Sequence, residues 1–286
     1  MGQQNNSGEA TPGSATATAS EVFPDGAMIE LVRRDDGPLE LLYYDGASTS
    51  IAPRVDRNGK LFVPPAEDEG ILKDLQLPGH AIDYGSTRQL FDDLRRFFAQ
   101  HPGLPEESIL KLAYLALAIW FSECAAIWPF VSVVSVDSSG LTLLLRLLQC
   151  AYRRSLHVGE ITFERIWSLP LLLRPTLLID QPRPTRELYR VLRAMSRLGA
   201  LVPQNGQLRH INCPTVICTA EPLTDPWILD HALHIVLTPT CGLPRIDPQT
   251  LIETARELQG KQLRYRLDYF AKVRRSQFDA PELPFP

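Results

Sequence analysis

Three short segments carry residue types that together could hold a phosphate and a divalent cation. Ser135 to Thr142 reads SVDSSGLT, Leu177 to Gln181 reads LLIDQ, and the run TVICT closes on Thr219. In the pattern G-x-x-x-x-G-K-[S/T], glycines let backbone N–H groups cradle phosphate, the lysine reaches the outer phosphates and the hydroxyl holds Mg²⁺. Gly140 and Thr142 stand at the spacing of the second glycine and the hydroxyl, whereas Ser135 and Leu141 replace the first glycine and the lysine. Asp180 ends an apolar run and is placed, with Thr142, to take Mg²⁺. Gln181 follows where a glutamate could act as base, and Thr219 would face the terminal phosphate. Ser138 and Ser139 complete the turn, although with Asp137 they are also ordinary helix N-caps.

Such residues act together only if a scaffold aligns the strand ends. Apolar runs at Phe130–Ser135, Ser155–Val158, Pro175–Asp180, Thr215–Thr219 and Leu233–Leu237 predict strands. Helical patterns at Gly140–Arg153, Thr162–Leu169, Thr185–Arg197 and Asp225–Asp230 separate them. Strands alternating with helices predict an α/β fold, a mostly parallel sheet covered on both faces, with ligands at the carboxyl ends of the strands. The order of the pieces is that of a P-loop NTPase-like core, over residues 129–240. A disordered tail (1–22), a small β-rich element (23–80) and a helical lead-in (81–128) precede it. C-terminal helices (241–279) and a proline-rich tail (280–286) follow. Ser86-Thr87 opens the first lead-in helix, Pro203-Gln204-Asn205-Gly206 reads as a hairpin turn, and the last helical region extends to about Phe278.

Hydrophobic residues make up 44% of the 286 and charged residues 22%, enough apolar material for a sizeable core. A net charge of −4 leaves no global field drawing the chain to nucleic acid. Cys124, Cys150, Cys213, Cys218 and Cys241 form no C-x-x-C pair, which points to reduced thiols in a cytoplasmic protein. The polar opening has no signal-peptide pattern. The most apolar stretch, Leu110 to Val136, is broken by Glu123 and falls short of the roughly 20 uninterrupted residues of a membrane span.

The chain resembles the RecA/AAA-like ATPases related to helicase- and primase-associated domains of phages and mobile elements. The resemblance runs from Gly79 to Gln277 and rests on Asp83-Tyr84-Gly85-Ser86, Leu90, Trp120, Pro129, the SVDSSGLT turn, Pro175 to Asp180, and Asp225, Ile228 and Leu229. It implies a nucleotide-binding set of Ser135, Ser138, Ser139, Gly140, Thr142, Asp180, Gln181, Thr219 and His231, the last standing where the family has an arginine. The departures fall on catalytic positions. Leu141 cannot neutralise phosphate, and a lost charge-assisted hydrogen bond is worth roughly 1.5–3 kcal/mol. Gln181 cannot accept a proton, though glutamine can orient water, and His231 lacks the charged fork of an arginine finger. No catalytic residue is therefore assigned. The expectation is a degenerate, pseudo-ATPase module binding Mg-ATP at low affinity if at all, and working with a protein partner or a second copy of itself.

Two alternatives stand beside it. One is a slow DNA-linked NTPase in which another cation, such as Arg153, replaces the lysine. The other is a nucleotide-independent accessory that contacts DNA through Arg186, Arg190, Arg193 and Arg197, which recur at helical spacing. Basic and aromatic residues mix over Lys261–Arg275, where helix packing is the simpler account. His157, His210 and His234 have no ligand spacing.

Overall fold

The computed structural model describes residues 15–275, apart from 36, 67–69, 72–74, 126–127, 129, 163, 198, 205–206, 211 and 241. The expectations for residues 1–14, Pro129, Asn205-Gly206, Cys241 and the chain beyond 275 lie outside the described residues.

Short alternating runs near the N-terminus form two small sheets. β1 (Thr16–Ala17), β2 (Ser20–Val22), β3 (Met28–Val32), β4 (Glu40–Tyr44), β5 (Thr49–Ala52), β6 (Val55–Arg57) and β7 (Lys60–Val63) follow in order. β2 to β5 make a four-stranded antiparallel sheet, and β1, β7 and β6 a three-stranded one. This corrects the expected tail at 1–22, because Thr16–Ala17 and Ser20–Val22 are strands. Small polar composition suggested disorder there, yet Ser20 pairs with Glu30 across the ladder and its hydroxyl donates to the Glu30 carboxylate at 2.7 Å.

Two helices lead into the core. α1 (Thr87–Phe98) opens with a reciprocal capping box, Gln89 N–H to Ser86 Oγ at 3.2 Å and Ser86 N–H to Gln89 Oε1 at 2.8 Å. α2 (Glu106–Ala118) carries Glu106 and Glu107 in its first turn, where the helix dipole favours them, and passes into a 3-10 turn over Ile119–Cys124.

The core continues through β8 (Phe130–Val134), α3 (Ser138–Ala151), β9 (Ser155–Val158) and β10 (Thr176–Asp180). Next come α4 (Arg186–Met195), the hairpin β11 (Leu201–Gln204) and β12 (Gln207–His210), β13 (Thr215–Thr219), α5 (Pro226–His231) and β14 (Ala232–Val236). Between β9 and β10 the expected helix at Thr162–Leu169 is reduced to a 3-10 turn, Arg165–Ser168. The five core strands lie in the order β14-β8-β13-β10-β9, every neighbour parallel. This is the parallel α/β sheet expected from the alternation of apolar runs.

Alternate residues of each strand feed opposite faces. Val131, Val133, Leu178, Val216 and Cys218 pack under α3 and the lead-in helices. Phe130, Leu177, Ile179 and Ile217 pack under α4 and α5. α4 buries Leu188, Val191, Leu192 and Met195 there, each such side chain contributing about 1.5–3 kcal/mol. α6 (Pro248–Arg275) is one helix where several were expected. It packs along the first face, and the segment His80–Ile82 approaches it closely enough that Ile82 N–H donates to Gly260 O at 3.0 Å. A Cβ at Gly260 would lie 2.6 Å from Ile82 Cδ1.

A buried ionic cluster fastens the N-terminal sheet to the core. The Glu30 carboxylate on β3 accepts from Arg153 (2.8 Å), Arg154 (2.6 Å) and Arg266 Nε (2.7 Å). Glu123 pairs with Arg153 at 3.3 Å and with Arg266. Burial alone would raise both carboxyls, but the guanidiniums prevail: Glu30 is held well below its usual range and Glu123 at about 2. Burial, with Arg153 alongside, pulls Arg154 down to about 9. Arg266 is thus a packing residue, and nearby Lys261 is paired with Asp93 at 3.1 Å.

Candidate functional site

Because β13 lies between β8 and β10, the sheet brings the turn after β8, Thr219 and Asp180–Gln181 to one carboxyl edge. The turn itself is short. β8 ends at Val134 and α3 begins at Ser138, so only Ser135, Val136 and Asp137 connect them. Much of its hydrogen-bonding capacity is used internally. Ser135 N–H donates to Thr219 O (3.0 Å), Asp137 N–H to Ser135 Oγ (3.1 Å), and Ser135 Oγ–H to Asp137 O (3.0 Å). Asp137 caps α3, its Oδ1 accepting from Ser139 N–H at 3.0 Å.

Gly140 is the third residue of the helix, in its first turn, and is buried. A Cβ there would lie 2.8 Å from Asp137 Oδ2 and 3.7 Å from His101 Nε2. Its carbonyl bonds His101 Nε2 at 2.8 Å, while Gly103 N–H donates to His101 Nδ1 at 3.1 Å, which puts the imidazole proton on Nε2. The glycine here makes room for the protein's own side chains. A helix N-terminus attracts anions, and at α3 that anion is Asp137, whose Oδ2 is buried without a protein partner.

The other predicted residues are also engaged. Leu141 packs against the core, and Thr142 Oγ donates to Ser138 O at 2.8 Å. Ser138 and Ser139 are exposed in the first turn. Gln181 is buried, its Oε1 accepting from Ile161 N–H (2.9 Å) and its Nε2 donating to Arg183 O (3.3 Å). Thr219 Oγ donates to Glu221 O at 2.7 Å. Asp180 is half-buried at the end of β10, beside Cys218. So arranged, these residues do not fit a magnesium nucleotide: a phosphate at the α3 N-terminus would meet the Asp137 carboxylate, and Leu141 offers no charge against it.

Two expected contributors are not at this edge. His231 ends α5 and precedes Ala232, which pairs with Phe130 at the opposite end of β8, about 13 Å along the strand. Arg153 lies past the far end of α3, buried against Glu30 and Glu123, and so cannot replace the missing lysine. Burial pushes the Cys150 and Cys213 thiols up to about 12, which suits packing and not nucleophilic chemistry. Among the described residues no group of three His, Cys, Asp or Glu is placed to hold a metal. No helix among them is long and apolar enough to cross a membrane.

On the other face of the sheet, α4 and the start of α5 enclose a groove of about 280 Å³ lined by Arg190, Arg193, Ala194, Arg197, Ala200 and Trp227. Arg193 makes a forked pair with Asp225, the N-cap of α5, with Nε to Oδ1 at 3.2 Å. Arg197 lies over the Trp227 ring, 5.1 Å from its centroid. Trp227 is fixed from below by His231, stacked at 4.2 Å, and by the edge of Phe130. The arginine spacing was legible in the sequence, but Trp227 was not, since only the fold brings α5 beside α4.

No family model and no curated protein matches the chain. Solved structures that resemble it include a full-length MCM homolog from Methanopyrus kandleri, with 15% identity, a TM-score of 0.39, and 82% of this chain aligned to 59% of that one. An apo structure of the NrS-1 C-terminal region gives 9% identity and a TM-score of 0.40, covering 82% of this chain and 65% of that one. The JCV helicase gives 12% and 0.28, covering 65% of this chain and 66% of that one. The chain spans less than two thirds of the length of the first two.

Proposed function

We propose that this chain is a P-loop-fold module that acts by binding and not by hydrolysing ATP. The observation that carries the reading is the Asp137 carboxylate capping the N-terminus of α3, the end of a helix where an anion such as phosphate would otherwise bind. The hydroxyl protons of Ser135, Thr142 and Thr219 are given to the protein's own backbone and the Gln181 amide oxygen accepts from Ile161 N–H, so none of the three hydroxyls donates towards a phosphate, which supports the same reading. A degenerate site of this kind leaves the scaffold as an interaction module. The Asp83–Ser86 and Pro175–Asp180 segments, through their resemblance to mobile-element helicase-type ATPases, suggest DNA metabolism as its setting. Its partner would be a protein, a second copy of the chain, or DNA at the Arg186–Arg197 face.

Equilibrium binding of fluorescent ATP to the purified chain, with and without Mg²⁺, tests this. No Mg²⁺-dependent binding at micromolar concentration is expected. Mg²⁺-dependent binding that Asp180→Ala abolishes would overturn the reading.

A further inference from the structure

The groove between α4 and α5 combines features that the carboxyl edge lacks. Arg186, Arg190, Arg193 and Arg197 follow one side of α4 and its C-terminal continuation over about 16 Å. Arg190 and Arg197 are exposed, and among the described residues neither is paired with a carboxylate. Arg193 is already matched by Asp225, which fixes its fork. Between these charges the wall is apolar, made by Ala194, Ala200 and a Trp227 ring held still by His231 and Phe130. The volume lies near the lower end for small-ligand sites, roughly 300 Å³.

We propose that this groove is a nucleoside-phosphate site. A guanidinium fork suits phosphate oxygens, and a flat heterocycle suits the Arg197 guanidinium that lies over Trp227, beside the methyl groups of Ala194 and Ala200. A nucleoside phosphate carries both features in one small body. A carboxylate peptide has the charge but not the ring, and the carboxylate that fits here is supplied internally by Asp225. The site lies on the α4–α5 face and needs no Mg²⁺, because guanidiniums supply the positive charge. It deepens the reading of the chain as a binding module by placing the ligand away from the strand-end turn. The same chemistry is offered by a free nucleotide and by the nucleotides of a single strand.

The test uses the full chain and fluorescein-labelled oligothymidylate, followed by anisotropy in EDTA, with unlabelled AMP and polyglutamate as competitors. Binding is expected without Mg²⁺, weakened about tenfold or more by Arg190→Glu or Arg197→Glu and unchanged by Asp180→Ala. Both arginines are exposed, and circular dichroism of each variant verifies its fold. Displacement by AMP would identify a free-nucleotide site. Binding that resists AMP yet needs both arginines would assign the groove to the phosphates of a strand. Absence of binding, indifference to both arginine changes, or equal displacement by polyglutamate would overturn the proposal. Mg²⁺-dependent binding lost in Asp180→Ala but kept in the arginine variants would instead overturn the reading of the strand-end turn.

Discussion

Asp137 and Gly140 fit against each other so closely that a Cβ on Gly140 would lie 2.8 Å from Asp137 Oδ2. The glycine that resembles part of a phosphate loop is therefore explained by a carboxylate of the same chain. Gly140→Ala gains about 0.5–1 kcal/mol of helix propensity but pushes the Asp137 carboxylate off its capping position, a loss of about 1 kcal/mol, so its net effect on stability should be small. Asp137→Ala should cost about 1 kcal/mol as a lost cap. The double variant should lose less than the sum, because removing the carboxylate makes room for the methyl group. Urea unfolding of the four proteins measures that coupling, and strict additivity would show that the two residues do not compete for space.

Restoring the letters of the motif should not restore the chemistry. Leu141→Lys with Gln181→Glu supplies the missing lysine and glutamate but leaves Asp137 at the helix N-terminus. Glu at 181 can still accept from Ile161 N–H but cannot donate to Arg183 O. We expect no phosphate release from ATP by this double variant. Turnover above background would mean that Asp137 swings out of the way.

The core was legible because its signals are local. FVSVV, TLLID and TVICT are short apolar runs bounded by turn residues, and each forms the expected strand. Ser86-Thr87 marks a helix start, and the helix does begin there, closed by a capping box between Ser86 and Gln89 that was not read from the sequence. What escaped depends on long-range placement. Glu30 meets Arg153, Arg154 and Arg266 only after three separate elements converge, and no spacing encodes that. Ser20 looked like part of a polar tail because its value is one hydroxyl aimed at Glu30. Likewise, Thr142 stands at the spacing of a magnesium ligand, but its hydroxyl bonds one turn back along its own helix, an outcome its residue type does not distinguish.

The Glu30 cluster predicts acid sensitivity with a definite direction. Both Glu30 and Glu123 have folded-state pKa values below the free value of 4.5, with Glu123 at about 2. A depressed carboxyl stabilises the fold fully above the unfolded value and loses that contribution as pH falls through the folded one. Stability should therefore decline as pH is lowered from about 4.5 towards about 2. Glu30→Gln should cost roughly 3–5 kcal/mol at neutral pH by leaving buried guanidiniums uncompensated. It should also flatten the acid slope. A variant with an unchanged urea midpoint and an unchanged slope would remove the cluster from the stability account.

Asp225 has two roles that one substitution can separate. Its carboxylate caps α5 by accepting from Ile228 N–H at 3.1 Å, and it neutralises Arg193 inside the groove. Asparagine keeps a capping oxygen but not the charge. Asp225→Asn should therefore keep the cap and cost about 1 kcal/mol or less, the loss of the half-exposed ion pair with Arg193. If the groove takes nucleoside phosphates, the same change frees a third guanidinium, so oligothymidylate should bind several-fold more tightly. The salt dependence should also steepen, since one more phosphate contact releases about one more counterion. Asp225→Ala would blur this result by removing the cap as well. Anisotropy titrations at two salt concentrations, beside urea unfolding, read both effects. Weaker binding in Asp225→Asn with the fold intact would mean that the Arg193–Asp225 pair orients the groove and that the added positive charge is not what the ligand senses.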